Sequence, residues 1–194
     1  DYHLRDNSLC IGAGTITNAP QADIEGNSRP DPATANPDMG AYENPRSTPA
    51  DITPPVVTVV TSPTRNGIYK ESDIVPVTIT FSESVIVVKT PQLVLETGVK
   101  DAVVDYSTGS GTETLTFIYT VAAGQNSSDL SYLADNALIL NEGQIEDAAG
   151  NSAILILPMP GNTNSLSFKK GLVIDTSPPA MPVELVATGS NGQV

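Results

Sequence analysis

Acidic residues in turns are the part of this sequence best suited to chemistry, and that chemistry is calcium binding. Calcium takes about six to eight oxygen ligands, mostly carboxylates and carbonyls of flexible loops. Two Asp-x-x-Pro-Pro motifs and the predicted turns between strands supply the candidate ligands: Asp51, Glu71, Asp73, Asp147, Asn151 and Asp175. The alternative is structural: the motif Asp residues can cap Pro turns, and residues 147–151 can form a hairpin turn held by Asx hydrogen bonds.

The inventory of reactive side chains argues against an enzyme. His3 is the only histidine and Cys10 the only cysteine, so no Cys/His cluster for zinc is present, and the sequence has no Gly-x-Ser-x-Gly, His-Glu-x-x-His or Walker motif. Two acidic pairs are spaced for acid–base work on sugars: Asp23 with Glu25, and Glu146 with Asp147. Both pairs lie in predicted turns, where acids usually accept backbone hydrogen bonds. We therefore expect a non-enzymatic chain with no catalytic residue.

Composition points to an all-β chain with an acidic surface. The 194 residues include 15 Gly, 16 Pro and no Trp, with Val, Ile, Thr and Leu abundant. The net charge of −13 repels nucleic acid, and no basic patch offsets it. No run is apolar enough to predict membrane insertion of this segment. Because residue 1 starts in the middle of a pattern, we expect the chain to be part of a longer protein.

The motifs at Asp51 and Asp175 divide the chain. A Pro pair fixes the backbone twice and removes two donors, so it marks a stiff joint between units. We predict an irregular segment at residues 1–45, a Pro-rich linker at 46–53, a β-sandwich at 54–175, and a linker with one strand at 176–194. The first segment has too little apolar material to bury a sufficient core by itself.

Alternation of apolar and polar residues predicts the strands of residues 54–175. The clearest case places Leu115, Phe117, Tyr119 and Val121 on the inner face. Pro76 predicts an edge or a bulge, because proline cannot donate to a sheet. The other predicted strands cover residues 56–61, 75–81, 85–88, 92–96, 102–107, 137–140, 152–157 and 171–174. One short helical turn is predicted in residues 130–136.

Blocks in residues 1–45 resemble the C-terminal end of right-handed parallel β-helices of the pectin-lyase-like kind. They are Asp1-Tyr2-His3-Leu4, residues 8–14, residues 23–30, and Asp38-Met39-Gly40-Ala41-Tyr42-Glu43. The resemblance implies the last rungs and cap of a solenoid, whose coils each need neighbours to bury their faces. The rungs that would hold a carbohydrate site are missing from this sequence.

Residues 51–175 resemble the bacterial Ig-like repeats of surface adhesins. The matching blocks are residues 66–74, 80–85 and 115–121, together with Asp147-Ala148-Ala149-Gly150-Asn151. The resemblance implies an Ig-like antiparallel β-sandwich, and it favours calcium because related repeats bind calcium at their joints. Residues 182–194 resemble the first strand of a fibronectin type III domain.

These resemblances imply a stalk or spacer in a secreted or cell-surface multidomain bacterial protein with an adhesion role. Its partners would be neighbouring domains of the same chain and a carbohydrate or protein surface ligand. Two alternatives stay open. One is an accessory region of an extracellular polysaccharide-active enzyme whose site lies in the missing β-helix. The other is a subunit of an extracellular filament or surface layer.

Overall fold

The computed structural model describes residues 2–179, and its regular structure is almost entirely β, which confirms the predicted all-β class. All the strands lie after residue 56. They are β1 (Val57–Thr61), β2 (Gly67–Tyr69), β3 (Ile74–Val88), β4 (Gln92–Glu96), β5 (Ala102–Thr108), β6 (Thr112–Thr120), β7 (Asn126–Ser127), β8 (Ser131–Tyr132), β9 (Leu138–Ile139), β10 (Gln144–Glu146) and β11 (Leu172–Asp175). The predicted strand in residues 182–194 lies outside the described residues.

The strands form two sheets. The larger follows the order β1-β3-β6-β5-β4-β8, with β10 also paired to β3 and β9 to β4. The smaller has the order β2-β11-β7. Pairing is antiparallel throughout the larger sheet, whereas β11 runs parallel to β2. We refer to residues 56–175 as the strand region.

The core of the strand region follows the alternation that the sequence predicts. Leu115, Phe117, Tyr119 and Val121 are all buried, which confirms the predicted inner face around β6. Residues 75, 77 and 79 of β3 are buried with them. Full burial of one large apolar side chain contributes about 1.5–3 kcal/mol, so this cluster is the main source of stability in the strand region.

β3 is the longest strand and connects the two ends of the strand region. The sequence predicted two strands here, but the chain stays extended through Ser82-Glu83-Ser84. The pairing with β6 shifts register between Thr80 and Val85, which absorbs this polar interruption. Pro76 lies in the first part of β3, which pairs with β6 but not with β1. Its missing N–H therefore interrupts no pairing with β1. The Pro76 carbonyl accepts a hydrogen bond from the Ser62 hydroxyl.

Two predicted elements are wrong. The helical turn lies at α1 (Leu166–Lys169), capped by the Ser165 hydroxyl, while residues 131–132 of the expected turn form β8. Residues 152–157 form only isolated bridges, because Ile154 N–H donates to the Pro55 carbonyl and Leu157 N–H to the Asp135 carbonyl. In the described part of the chain, no helix is long and apolar enough to cross a membrane.

The N-terminal segment (residues 2–50) contains turns and one isolated bridge, between Ala22 and Ser28. Its buried apolar side chains are Ile11 and Pro37, and its other buried side chains are polar. The segment closes on itself through backbone hydrogen bonds such as Met39 N–H to the Cys10 carbonyl and Ala50 N–H to the Asp6 carbonyl. Buried apolar side chains are therefore few in this segment.

Candidate functional site

The turn after β10 is built around the carboxylate of Asp147. One of its oxygens, Oδ1, accepts the N–H groups of Ala149 and Asn151, each at 2.8 Å, and Oδ2 accepts the Asn151 side-chain amide at 2.7 Å. Gly150 has φ +89°, a left-handed conformation that glycine adopts without strain. Asp147 is buried, with 3% of its surface exposed. Residues 147–151 therefore form the turn held by Asx hydrogen bonds that was the structural alternative to calcium binding.

The same turn holds the linker. The Asn151 amide donates to the Asp51 carbonyl at 3.1 Å, and the Asp51 carboxylate accepts Thr53 N–H at 2.9 Å. Next along the chain, Val56 exchanges hydrogen bonds with Ser82 of β3. We call this place, where residues 51–56 meet β3 and the Asp147 turn, the linker end.

Glu83 completes a group of three carboxylates at the linker end. Ligand oxygens of Asp51, Glu83 and Asp147 all lie within 4.8 Å of one another. Glu83 was not among the predicted site residues. The sequence could have indicated Glu83, because in the alternating pattern of β3 it falls on the same inward-facing side as Phe81 and Val85. A charged residue at an inward position indicates a polar neighbour.

The electrostatics of the three carboxylates differ. Burial raises the pKa of Glu83, and repulsion from Asp51 and Asp147 raises it further. Burial also raises the pKa of Asp147, but hydrogen bonds from Asn151 and Ala149 outweigh it and hold the pKa below its ordinary value. Asp147 is therefore held as an anion, and Glu83 accepts a proton more readily than Asp147 does.

The group can act as a set of hard oxygen ligands. Each of the three residues offers one oxygen, so a calcium ion would need further ligands from carbonyls or water. Asp147 already accepts three hydrogen bonds and has little remaining capacity. Asn151 donates its amide to Asp147 and Asp51, so it orients the ligands.

The other predicted ligands lie elsewhere. Asp73 precedes β3 and accepts Lys70 N–H at 2.9 Å, and Glu71 is exposed in the same turn. Asp175 ends β11 and accepts Ser177 N–H at 2.9 Å. Within residues 2–179, the group of Asp51, Glu83 and Asp147 is the one set of three such side chains with converging ligand atoms. The structure thus brings three of the six predicted residues together: Asp51, Asp147 and Asn151.

A second carboxylate turn lies in the N-terminal segment. Asp23 accepts the N–H groups of Glu25 and Asn27 at 2.9 Å and the Asn27 amide at 3.0 Å. Its Oδ2 also accepts Glu43 N–H at 3.1 Å. The Glu25 carboxylate lies 3.0 Å from His3 Nε2. Both members of the Asp23–Glu25 pair are thus engaged in structural contacts.

Comparison with known proteins returns no matching family model, no similar curated protein and no similar solved structure.

Proposed function

We propose that the chain is a non-catalytic stalk or spacer module of a secreted or cell-surface multidomain protein, with an adhesion role. In this proposal the strand region is an Ig-like β-sandwich and the N-terminal segment is the cap of a β-helix. The observation that carries the proposal is the position of the two joints. The chain reaches the strand region at one end and leaves it at the other.

The two ends are separated by residues 74–82 of β3. At the linker end, Val56 contacts Ser82, and Asp51 lies with Glu83. At the other end, which we call the distal end, Asp73 immediately precedes β3 and its carbonyl accepts Val121 N–H. At about 3.3 Å per residue, the strand between these points spans about 30 Å.

The exit at Asp175 lies at the distal end. Ile174 pairs with Tyr69, just before the turn that leads into β3. The Thr176 hydroxyl donates to the Gln125 carbonyl and accepts Gly124 N–H, close to the end of β6. A module with joints at opposite ends adds its full length to a chain of domains, as a spacer requires.

Both joints contain the same hydrogen-bonded turn. The Asp51 carboxylate accepts the N–H of the second residue after it, and the Asp175 carboxylate does the same, each at 2.9 Å. A Pro pair follows in both cases, which restricts the backbone further. Two short-range restraints on one turn favour a stiff joint over a flexible one.

Distances between spin labels test the spacer geometry. The full chain would carry Cys10→Ser, with labels at Ile52→Cys and Ser177→Cys, all at exposed or half-exposed positions. We expect one narrow distribution centred at about 30 Å or more. The control pair, Ile52→Cys with Ser152→Cys, places both labels at the linker end and should give a much shorter distance. A broad distribution, or a mean as short as the control, contradicts the proposal.

Calcium binding stays a prediction of this proposal, and the linker end is where it should be tested. Isothermal titration of the full chain with CaCl₂ should give saturable heat that Glu83→Gln abolishes. The matched control is Glu71→Gln, an exposed acid at the distal end, which should leave the titration unchanged. Absence of heat in the unaltered chain would remove calcium from the proposal and leave the spacer geometry standing.

A further inference from the structure

The interior of the N-terminal segment is mostly polar. Within residues 2–50, Ile11 and Pro37 are the buried apolar side chains, whereas Asp23, Asp38, Glu43 and Asn44 are buried polar ones. Burial of two apolar side chains is small beside the conformational entropy lost when the backbone of the whole segment is ordered. Hydrogen bonds to the carboxylates must therefore supply much of what holds this segment.

These hydrogen bonds form a continuous chain. Asp23 accepts Glu43 N–H at 3.1 Å, and the Glu43 carboxylate accepts Asp38 N–H at 3.2 and 3.3 Å. Asp38 in turn accepts Gly12 N–H and Asn44 N–H, each at 2.7 Å. Each link joins a carboxylate to a backbone N–H group, and two of them, from Glu43 to Asp23 and from Gly12 to Asp38, span 20 and 26 residues. Loss of one carboxylate charge therefore affects several turns at once.

One buried cation completes this network. Arg29 Nε lies 3.1 Å from Glu43 Oε2, and the Arg29 side chain is only 10% exposed. The guanidinium also donates to the Asp38 carbonyl. The other charged groups that face the network are Glu25 with His3, Asp6 with Arg46, and Asp31.

We propose that the N-terminal segment is an acid-releasable lock, which unfolds reversibly when Asp23 takes up a proton while the strand region stays folded. Both Asp23 oxygens already accept N–H groups, so the hydrogen of the protonated carboxyl would face another donor. The strand region resists because its interior is apolar.

The direction of the pH dependence follows from Asp23. Hydrogen bonds from the Asn27 amide and from the N–H groups of Glu43, Asn27 and Glu25 outweigh burial and hold the pKa of Asp23 far below its ordinary value. A lowered pKa contributes stability that is fully present above the ordinary value of about 3.9. That stability is lost as the pH falls below this value. Release is therefore expected below about pH 4.

Amide NMR spectra of the full chain at pH 7 and at about pH 3 test the proposal. At the lower pH, the amide signals of Gly12, Glu43 and Asn44 should move to unfolded positions, while those of β6 stay dispersed. Return to pH 7 should restore the original spectrum. Dispersed N-terminal signals in acid would overturn the proposal. Simultaneous loss of both sets would overturn it as well.

A pair of matched variants separates the lock from general acid denaturation. In Asp23→Asn, the new NH₂ group faces a backbone donor, which cannot reverse, in either orientation. In place of Oδ2 it faces Glu43 N–H, and in place of Oδ1 it faces the N–H groups of Glu25 and Asn27. In Asp147→Asn, the partner of Oδ2 is the Asn151 side chain, which can flip its amide. At pH 7, Asp23→Asn should release residues 2–50 with β6 still folded, and Asp147→Asn should leave residues 2–50 folded. Dispersed N-terminal signals or whole-chain collapse in Asp23→Asn would contradict the lock.

Discussion

The two regions of the molecule contain the same turn in different surroundings. Residues 23–27 and residues 147–151 share the pattern Asp-x-x-Gly-Asn and the same hydrogen bonds. The glycines have φ +88° and +89°. The second turn belongs to the strand region, whose interior is an apolar cluster, whereas the first belongs to a segment whose interior includes several buried carboxylates. The comparison teaches that equal local geometry can belong to regions whose stability has different physical sources.

The two turns also bind different parts of the chain. Asp23 holds the backbone of Glu43, a later pass of its own segment. Asn151 holds the Asp51 carbonyl of the linker. One turn therefore closes a segment internally, and the other fixes how the linker meets the strands. Three predictions test this comparison, from the largest expected effect to the smallest.

Truncation of a core side chain in the strand region should have the largest effect on stability of the three changes. Phe117→Ala should destabilise the strand region by about 3–5 kcal/mol, because it deletes a fully buried ring. Urea unfolding followed by circular dichroism measures the loss. Ile118→Ala, at the neighbouring outward position that is 39% exposed, is the control. A loss no greater than that of the control would show that the strand region does not depend on this core.

Glycine substitution should destabilise the two turns by the same amount, but each loss should be detected by a different measurement. Gly26→Ala and Gly150→Ala each force alanine into a left-handed conformation at about 1–2 kcal/mol, and no neighbouring atom lies within 4 Å of either new methyl. Gly150→Ala should lower urea stability of the strand region. Gly26→Ala should raise the pH at which the N-terminal amides are released. An identical response of both assays to both variants would contradict the separation.

Removal of one charge at the linker end should give a small gain. The raised pKa of Glu83 means that its ionised form opposes folding, so this penalty appears as the pH rises above the ordinary glutamate value of about 4.3. Glu83→Gln should therefore raise the melting temperature at pH 7 without calcium and change it little at about pH 4. Glu142→Gln, an exposed acid, is the control. A decrease at pH 7 would show that the Glu83 carboxylate stabilises the fold.

Sequence patterns predicted the features of the fold that depend on interactions between residues close together in the chain. Residues 115, 117, 119 and 121 alternate, and their burial follows. The Asp147 turn could be predicted because its hydrogen bonds join residues at most four apart. Residues 152–157 also look like a strand, but distant carbonyls of Pro55 and Asp135 take two of their donors. Their local pattern contained no information about those partners.

The candidate site was predictable only in part, for the same reason. Asp51, Asp147 and Asn151 could be named as turn acids and amides, but their meeting with Glu83 depends on a register shift within β3. The carboxylate network of the N-terminal segment has no periodicity at all. Asp23 and Glu43 meet through a backbone donor, which any residue would supply at that position.

The repeated Asp-capped turn has a consequence for how such a chain can change over generations. Residues 51–53 and 175–177 present the same hydrogen bond before the same Pro pair. An in-frame duplication or deletion with breakpoints at these two turns would leave an identical junction behind. Recombination at the level of the gene could then lengthen or shorten the protein by whole units, with no new joint to be evolved each time.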